Sequence, residues 1–447
     1  MFQRGDTLLG QAHALDESLL IEPQRRRPFW RGFLASTPGR LSVLAVVLVV
    51  ATLAAGTVTS AVNAARQQEI DALRTHSEPL ADAAQSLYSS LSIADAAATT
   101  SFIFGGVEPV VVRERYNQAV GDASNALVTA SNGVDPADAE ALGLLSEVSR
   151  RFSEYTSLVS IARANDRGGN PIGITYLRNA SSMMQSTILP LAHRLCAEQW
   201  KSVATTQAHT TRLPVAAFAV TTSVLAGLVL AHVYLTRKSR RLFNPGLIVA
   251  TLLMASLLVW SMAAFGMSTS AGERARTDGA QPLSAIAAAR ILAQQARADE
   301  MIGVLQRGSD PQSEVDFSRH VAVLSEILEQ HRNSPGRVAD ATVADAASAL
   351  EGWQNTHELL QQKLANGDYP AAAAMAVDPG TLAPTAQFSA LDEALQSAIT
   401  RLRSEEHEAT TEAYRSTSLL TVGSVVLGVL AGFAVGGGIW PRLNEYH

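Results

Sequence analysis

Four apolar runs divide the chain and separate two long polar segments. The runs lie at residues 41–62, 214–235, 246–267 and 418–440. Each run has about the ~20 residues that a helix needs to cross a bilayer. Between the runs lie a first segment (63–213), a short turn (236–245) and a second segment (268–417). The pattern predicts a membrane protein with four spans, in which each polar segment lies between two spans.

The polar and apolar positions of the first segment predict four helices. Apolar or small residues recur there every three or four positions, which is typical of helices with one buried face. These seams cover 73–101, 116–130, 145–162 and 177–195. Turns rich in Gly, Asn and Pro separate them, so we expect an up-down-up-down four-helix bundle. The first helix should continue the first span to about Phe104, and the fourth should run without a break into the second span.

The second segment repeats the same plan. Gln281-Pro282-Leu283 corresponds to Glu78-Pro79-Leu80, and Gly308 falls where Gly105 falls. The turn at 365–370 likewise corresponds to the turn at 164–171. These correspondences indicate a tandem duplication. We therefore predict an all-α membrane protein with four transmembrane helices and two tandem four-helix-bundle domains of the sensor type.

The short turn predicts the orientation in the membrane. It contains the basic residues Arg237, Lys238, Arg240 and Arg241. Cytoplasmic loops are enriched in Lys and Arg, so we expect this turn on the cytoplasmic side of the plasma membrane. The tail 1–40 and the end 441–447 then also lie inside, and both polar segments lie outside. With so little chain inside, the protein is expected to hand its signal to another protein.

The charge distribution agrees with this orientation. The chain has a net charge of -6. The first segment has 15 acidic and 12 basic residues, and the second has 21 acidic and 12 basic residues. The tail and the turn together have 4 acidic and 10 basic residues. We expect membrane lipid around the apolar spans. Because no basic patch is predicted outside, we expect no nucleic-acid partner.

No pattern of catalytic or metal-binding residues is found in the sequence. His357-Glu358 lacks the second His of a zinc helix, and there is no phosphate-binding loop and no nucleophile elbow. We therefore expect no enzyme activity, no metal and no cofactor. His357 lies on an apolar seam, which favours a satisfied core histidine over a pH or ligand switch. In the last span, Gly428, Gly432 and Gly436 have the spacing of close helix contacts, although such spacing also arises by chance.

The turn between the third and fourth helices of the first segment is the best candidate for recognition. It places donors, acceptors and an aromatic ring at one exposed end, and loops on rigid scaffolds often bind partners. The candidate partner-binding residues are Arg163, Asn165, Asp166, Arg167, Asn170, Tyr176 and Arg178. The alternative is a turn without a binding role, for which Gly and Asn suffice. Inside, the candidate relay residues are those of the basic turn.

Several motifs of the first segment carry a resemblance to a known family. They are Glu78-Pro79-Leu80, 104–109 with Arg115-Tyr116, 155–168 and 176–181. In these motifs and in topology the chain resembles the GlnX family, actinobacterial four-span membrane proteins that accompany the solute-binding lipoprotein GlnH and the serine/threonine kinase PknG. The resemblance implies a relay of extracytoplasmic amino acid (aspartate, glutamate) availability from the lipoprotein to the kinase. It assigns no ligand residues.

The expected function is therefore a transmembrane signal relay that works by helix shifts. Its expected partners are a solute-binding lipoprotein outside and a serine/threonine kinase inside. Two alternatives stay open. The polar segments could sense an amino acid directly, or the protein could be a structural scaffold of the envelope without a signalling role.

Overall fold

A computed structural model describes residues 37–105, 108–210, 214–239, 244–308, 311–332, 341–378, 380 and 383–444. Every regular element within these ranges is helical, and none of the described residues is in a strand. Almost all of the predicted tail (1–40) lies outside them, as do Arg240 and Arg241.

The helices follow the predicted seams closely. In chain order they are α1 (Thr37–Ala72), α2 (Glu78–Ile103), α3 (Val110–Gly133), α4 (Ala139–Arg167), α5 (Ile172–Met183), α6 (Leu189–Thr210), α7 (Val215–Ser239), α8 (Pro245–Arg274), α9 (Gln281–Leu305), α10 (Pro311–Arg332), α11 (Ala341–Ala365), α12 (Tyr369–Val377) and α13 (Pro384–Asn444). The predicted end of the first helix near Phe104 agrees with the end of α2.

Within the described residues, four helical stretches are long and apolar enough to cross a membrane. They are Gly39–Ile103, Val215–Arg237, Pro245–Leu305 and Ser418–Pro441. The first has 65 residues, or roughly 100 Å at 1.5 Å per residue, whereas the hydrocarbon core of a bilayer is about 30 Å thick. Only its apolar run can therefore lie in the membrane, and α2 lies beyond that run. The protein is a multi-pass membrane protein.

The chain forms two compact units. An apolar unit contains Met1–Ser60, Val215–Val259 and Val422–His447, and a polar unit contains Ala61–Pro214 and Trp260–Thr421. The bounds of the polar unit thus enclose both segments completely. Within it, α2 of the first segment packs along α9 of the second.

Glycines bring helix backbones together in the apolar unit. A Cβ on Gly56 of α1 would lie 2.7 Å from the carbonyl oxygen of Ser424 and 3.1 Å from the Cα of Gly428 on α13. Gly246 of α8 meets Gly438 of α13 so closely that a Cβ would overlap it. Of the three glycines noted in the sequence, Gly428 therefore makes a close backbone approach. Gly432 makes ordinary contacts, and a Cβ on Gly436 would meet nothing within 4 Å.

Each segment contributes its own core to the polar unit. In the first segment α2 to α6 bury an apolar cluster that includes Leu87, Leu91, Val148, Tyr155 and Leu195. In the second segment α9, α10, α11 and α13 bury a cluster that includes Ile286, Leu324, Leu350, Trp353 and Leu391. The predicted seam residues are the buried ones, because an apolar side chain every three or four positions gives a helix one continuous apolar face.

In the described part of the chain, three π-helical turns interrupt the long helices, and each ends two residues before a proline. The turns are Leu73–Ser77, Met184–Ile188 and Ala275–Ala280. The prolines that follow are Pro79, Pro190 and Pro282. A proline within a helix has no N–H to donate, and its ring clashes with the carbonyl four residues earlier. A wider turn moves that carbonyl away, so the helix continues past the proline without ending.

Two features differ from the sequence prediction. Pro214 lies outside any helix, between α6 and α7, so the fourth helix does not run unbroken into the second span. Residues 211–213 lie outside the described part of the chain. In the second segment the stretch after the third helix is divided into the short α12 and the long α13. Pro384 is the first residue of α13, a position at which the missing N–H of proline costs no helical hydrogen bond.

Candidate functional site

The turn before α5 is joined to the turn before α3 by one arginine. Arg163, near the end of α4, donates from Nη2 to Oε1 of Glu108 at 3.0 Å. Its guanidinium carbon lies 4.0 Å from the ring centre of Tyr116, a cation–π geometry. The Arg163 side chain is only 18% exposed. This candidate partner-binding residue therefore connects the two turns and presents little surface.

Two other candidate residues shape the turn between α4 and α5. Asn165 donates to the carbonyl of Ile161 at 2.9 Å, and its Oδ1 accepts from Nδ2 of Asn170 at 3.0 Å. Asn170 in turn accepts from the N–H of Ile172, the first residue of α5, at 3.2 Å. Gly169 has a φ of 68°, a left-handed conformation that glycine adopts without strain. These contacts account for both asparagines as turn formers.

Arg167 is the candidate cation that the turn exposes to solvent. It is the last residue of α4 and its side chain is exposed, with only a long 3.4 Å hydrogen bond from Nε to the carbonyl of Arg163. Asp166 beside it is half-buried. A partner that approaches this end of the first segment would meet the Arg167 guanidinium before that of Arg163.

The two candidate residues on α5 lie in different surroundings from the turn. Tyr176 is half-buried and packs against the core of the first segment. Arg178 is exposed and lines a cleft of about 460 Å³ between α5, α9 and α10, together with Asp299 and His320. The structure therefore gathers Arg163, Asn165 and Asn170 at the turn and places Arg178 beside the second segment.

A buried polar layer crosses the contact between α2 and α9. Asp95 is 2% exposed and accepts from the Ser181 hydroxyl at 2.7 Å and from the Tyr155 hydroxyl at 3.3 Å. Burial raises the pKa of Asp95 to about 6 against these hydrogen bonds, and the charge of Asp299 raises it further. On α9, the Asp299 carboxylate contacts Nδ1 of His320 at 2.8 Å. Burial raises the pKa of Asp299 as well.

The second segment contains a buried ion cluster around His357. Its Nδ1 lies 2.9 Å from Oε1 of Glu300, and its Nε2 lies 3.1 Å from Oε2 of Glu314. The imidazole stacks on Phe317 with ring centres 3.7 Å apart. Burial opposes a charge on His357, but the hydrogen bonds to Glu300 and Glu314 outweigh it and raise its pKa to about 9. The histidine is thus a satisfied core residue, as predicted, and it is held in the charged form.

Arg297 connects this cluster to the break between α12 and α13. It is fully buried and pairs with Glu300, whose pKa it lowers against the effect of burial. From Nη2 it also donates to the carbonyl of Ala376 at 3.0 Å and to the Thr385 hydroxyl at 2.8 Å. Ala376 is at the end of α12 and Thr385 at the start of α13. The buried charge therefore fixes how the two helices are joined.

Sequence reasoning missed Asp95, Arg297 and Glu300. Each of them is a charged residue within an Ala-rich helical seam, and that is the signal the sequence offers, because a charged side chain buried there needs a partner. The partners lie on other helices, at sequence separations that periodicity cannot connect.

Two of the four candidate relay residues, Arg237 and Lys238, lie at the end of α7. Arg237 is exposed. Lys238 belongs to the last turn of α7. Arg240 and Arg241 lie outside the described residues, so the relay surface stays a prediction.

The helices and the polar unit define a class: an all-helical, multi-pass membrane protein with a large polar helical unit. Comparison with protein families adds a narrower description. A family model described as an actinobacterial sensor domain matches residues 69–208, from the last residues of α1 almost to the end of α6. The match indicates a sensing or signalling role and fits an actinobacterial sensor protein. No curated protein and no solved structure matches the chain.

Proposed function

We propose that this protein is a transmembrane signal relay of the GlnX type. It couples an extracytoplasmic amino-acid-binding lipoprotein, similar to GlnH, to a cytoplasmic serine/threonine kinase, similar to PknG. In this proposal both termini and the basic turn lie in the cytoplasm. The two segments lie outside as tandem four-helix sensor bundles, and the protein itself catalyses no reaction.

The observation that supports a relay is the continuity of three helical stretches. Gly39–Ile103 and Pro245–Leu305 each join an apolar run to the first helix of a segment. The 61 residues of α13 include both Leu391 of the second segment's core and the last apolar run. The first two stretches each continue through one π-helical turn without a break in the helix, so a displacement at one end can move the other end. Packed helices change between discrete arrangements, which suits a two-state signal.

The turn around Arg167 is the proposed docking surface for the lipoprotein. It is exposed, polar and fixed by the contacts of Arg163, Asn165 and Asn170. A preformed surface loses little conformational entropy on binding. The lipoprotein would shift the equilibrium between two helix arrangements only as far as it binds one of them more tightly.

The decisive experiment uses the full chain in membranes of its own cell. Captured through an affinity tag, it should bring down the lipoprotein, and kinase output in the intact strain should follow amino acid supply. In a deletion strain that response should disappear, and the intact gene should restore it. An unchanged kinase response in the deletion strain would instead favour a scaffold without a signalling role.

A further inference from the structure

A second cleft lies between the two segments of the polar unit, away from the docking turn. It has a volume of about 800 Å³, and its walls come from α2 and α3 of the first segment and from α9 and α13 of the second. Small-molecule sites commonly have volumes of about 300–1,000 Å³. None of the candidate partner-binding residues lines this cleft.

One part of the cleft has an excess of positive charge. The carboxylate of Asp392 on α13 accepts from Nη2 of Arg115 at 2.9 Å and from Nε of Arg290 at 2.7 Å. It also accepts from the amide of Gln294 at 2.8 Å. Two guanidinium groups thus share one carboxylate, which leaves a net charge of about +1 by simple addition.

Arg115 is the arginine of this group that a ligand can reach. Its side chain is 39% exposed, whereas that of Arg290 is 16% exposed. A guanidinium has five N–H donors, and the contact with Asp392 uses Nη2. The carboxylate–guanidinium contacts also hold Arg115 in place before any ligand arrives, which lowers the entropy lost on binding.

Another part of the cleft has an excess of negative charge. Asp82 on α2 pairs with Arg403 on α13 at 3.3 Å, and these two charges cancel. Asp122 lies on the same face of α3 as Arg115, about 10 Å further along the helix axis, and lines the cleft without a salt bridge to a described cation.

Uncharged hydrogen-bonding groups also line the cleft. They are the hydroxyls of Ser86 and Ser89 and the amides of Gln118, Asn125 and Gln396. Such a wall suits a small polar molecule, because each group can donate or accept without adding charge.

We propose that this cleft binds a small zwitterion directly, with its carboxylate at Arg115 and its ammonium group at Asp122. Free amino acids and short peptides share this chemistry. A dianion would be repelled by Asp122, whose charge no salt bridge to a described cation balances, and a simple cation would be repelled by the net positive charge of Arg115 and Arg290 around Asp392. The inference goes beyond the proposed relay because it requires no binding protein, and either one can fail without the other.

The position of the cleft allows a bound ligand to affect a helix that continues into the membrane. Both inter-segment ion pairs along it, Arg115–Asp392 and Asp82–Arg403, end on α13. A carboxylate that binds Arg115 competes with Asp392 for the same guanidinium. Ligand binding therefore acts on the helix that contains the last apolar run.

The test uses the full chain purified in detergent, without other proteins. The probes are the twenty common L-amino acids, one at a time, and diglycine; the readout is the unfolding temperature, followed by calorimetry for each binder. At least one probe should raise the unfolding temperature with increasing concentration, because a ligand that binds only the folded state stabilises it. The N-acetyl and the amide derivatives of that probe should each bind at least tenfold more weakly. The proposal is overturned when no probe binds, or when both derivatives bind as tightly as the parent.

Matched variants locate the site. Arg115→Gln should weaken binding at least tenfold, whereas Arg113→Gln, on the same helix but outside the cleft, should not change it. Because Arg115 also joins the segments, Asn125→Trp supplies an independent check: it places a large ring in the cleft from an exposed position. Wild-type affinity in both Arg115→Gln and Asn125→Trp would place the ligand elsewhere and overturn the proposal.

Discussion

Arg163 and Arg167 lie four residues apart on α4, yet their side chains have different surroundings. Arg163 pairs with Glu108 and packs on Tyr116, whereas Arg167 is exposed. Arg167→Ala should therefore weaken capture of the lipoprotein several-fold without changing the unfolding temperature. Arg163→Ala should lower the unfolding temperature, because Glu108 loses its partner. Arg150→Ala, an exposed arginine elsewhere on α4, is the control for lost charge; if it weakens capture equally, the turn is not the docking surface.

The charged state of His357 predicts a pH dependence of stability. Its pKa is raised from 6.5 to about 9, so the folded state binds this proton more tightly than the unfolded state does. The resulting stabilisation is complete below pH 6.5 and is lost as the pH rises through about 9. His357→Gln should cost about 3–5 kcal/mol at pH 6, because Glu300 loses a buried partner.

Thermal unfolding followed by circular dichroism between pH 6 and pH 10 measures both effects. The difference in stability between the wild type and His357→Gln should shrink as the pH rises. His407→Gln, at an exposed position, should follow the wild-type curve throughout. A constant difference across this range would show that the cluster does not depend on the charge of His357.

At the scale of elements, each π-helical turn before a proline sets how far the helix after it is rotated about the helix axis relative to the helix before it. In Pro79→Ala the clash with the carbonyl of Thr75 is removed, so the turn should relax towards a regular α-helix. That change rotates α1 relative to α2 by up to about 100°, the angle of one residue. Asn63 and Thr421, whose side chains are hydrogen-bonded at 2.7 Å, should then move apart.

Cross-linking of a double-cysteine variant at these two positions measures the rotation. The yield with a short bifunctional reagent should fall several-fold in Pro79→Ala. Pro190→Ala removes a proline from a different helix and should leave the yield unchanged. An equal yield in all three backgrounds would mean that packing, and not the proline, maintains the turn.

Helix positions could be predicted from the sequence, but their interruptions and buried charges could not. The seams mark buried faces because burial of apolar surface dominates folding. A π-helical turn preserves the apolar face of a helix, so the spacing of apolar residues does not reveal it. The sequence did show Pro79 and Pro282 as a repeated motif. The contact of Arg297 with Ala376 depends on the relative register of two helices, which no local pattern encodes. For the same reason Arg178 was predicted to lie with the turn residues, whereas in the structure it lies beside α9 and α10.

At the scale of the whole molecule, the proposed topology can be tested by cysteine labelling in intact cells. Ser131→Cys and Asn333→Cys should react with an impermeant maleimide, and Ser239→Cys should react only after permeabilisation. The native Cys196 needs no replacement, because burial raises the pKa of its thiol to about 12 and leaves little reactive thiolate. If only Ser239→Cys were labelled in intact cells, the orientation in the membrane would be the opposite of the proposed one.

Transmission through rigid helices predicts the effect of an insertion. Two glycines placed after Ala64 in α1 add about 200° of rotation and cost about 1 kcal/mol each. Kinase output should lose its amino acid response, while capture of the lipoprotein stays unchanged. The same insertion after Pro136, in the turn between α3 and α4, is the control and should keep both. A surviving response in the Ala64 insertion would exclude a rigid-helix relay.

The two corresponding segments in one chain have a consequence for how such a protein can change over generations. In an assembly of two identical copies, each mutation alters both halves at once. Here Pro79 corresponds to Pro282 and the turn glycines correspond, whereas Asp95 belongs to one half and Arg297, Glu300 and His357 to the other. Because the two halves are separate parts of one chain, each half can accept substitutions that the other half could not tolerate. One half can therefore change while the other half keeps its structure, and selection acts on the difference between them.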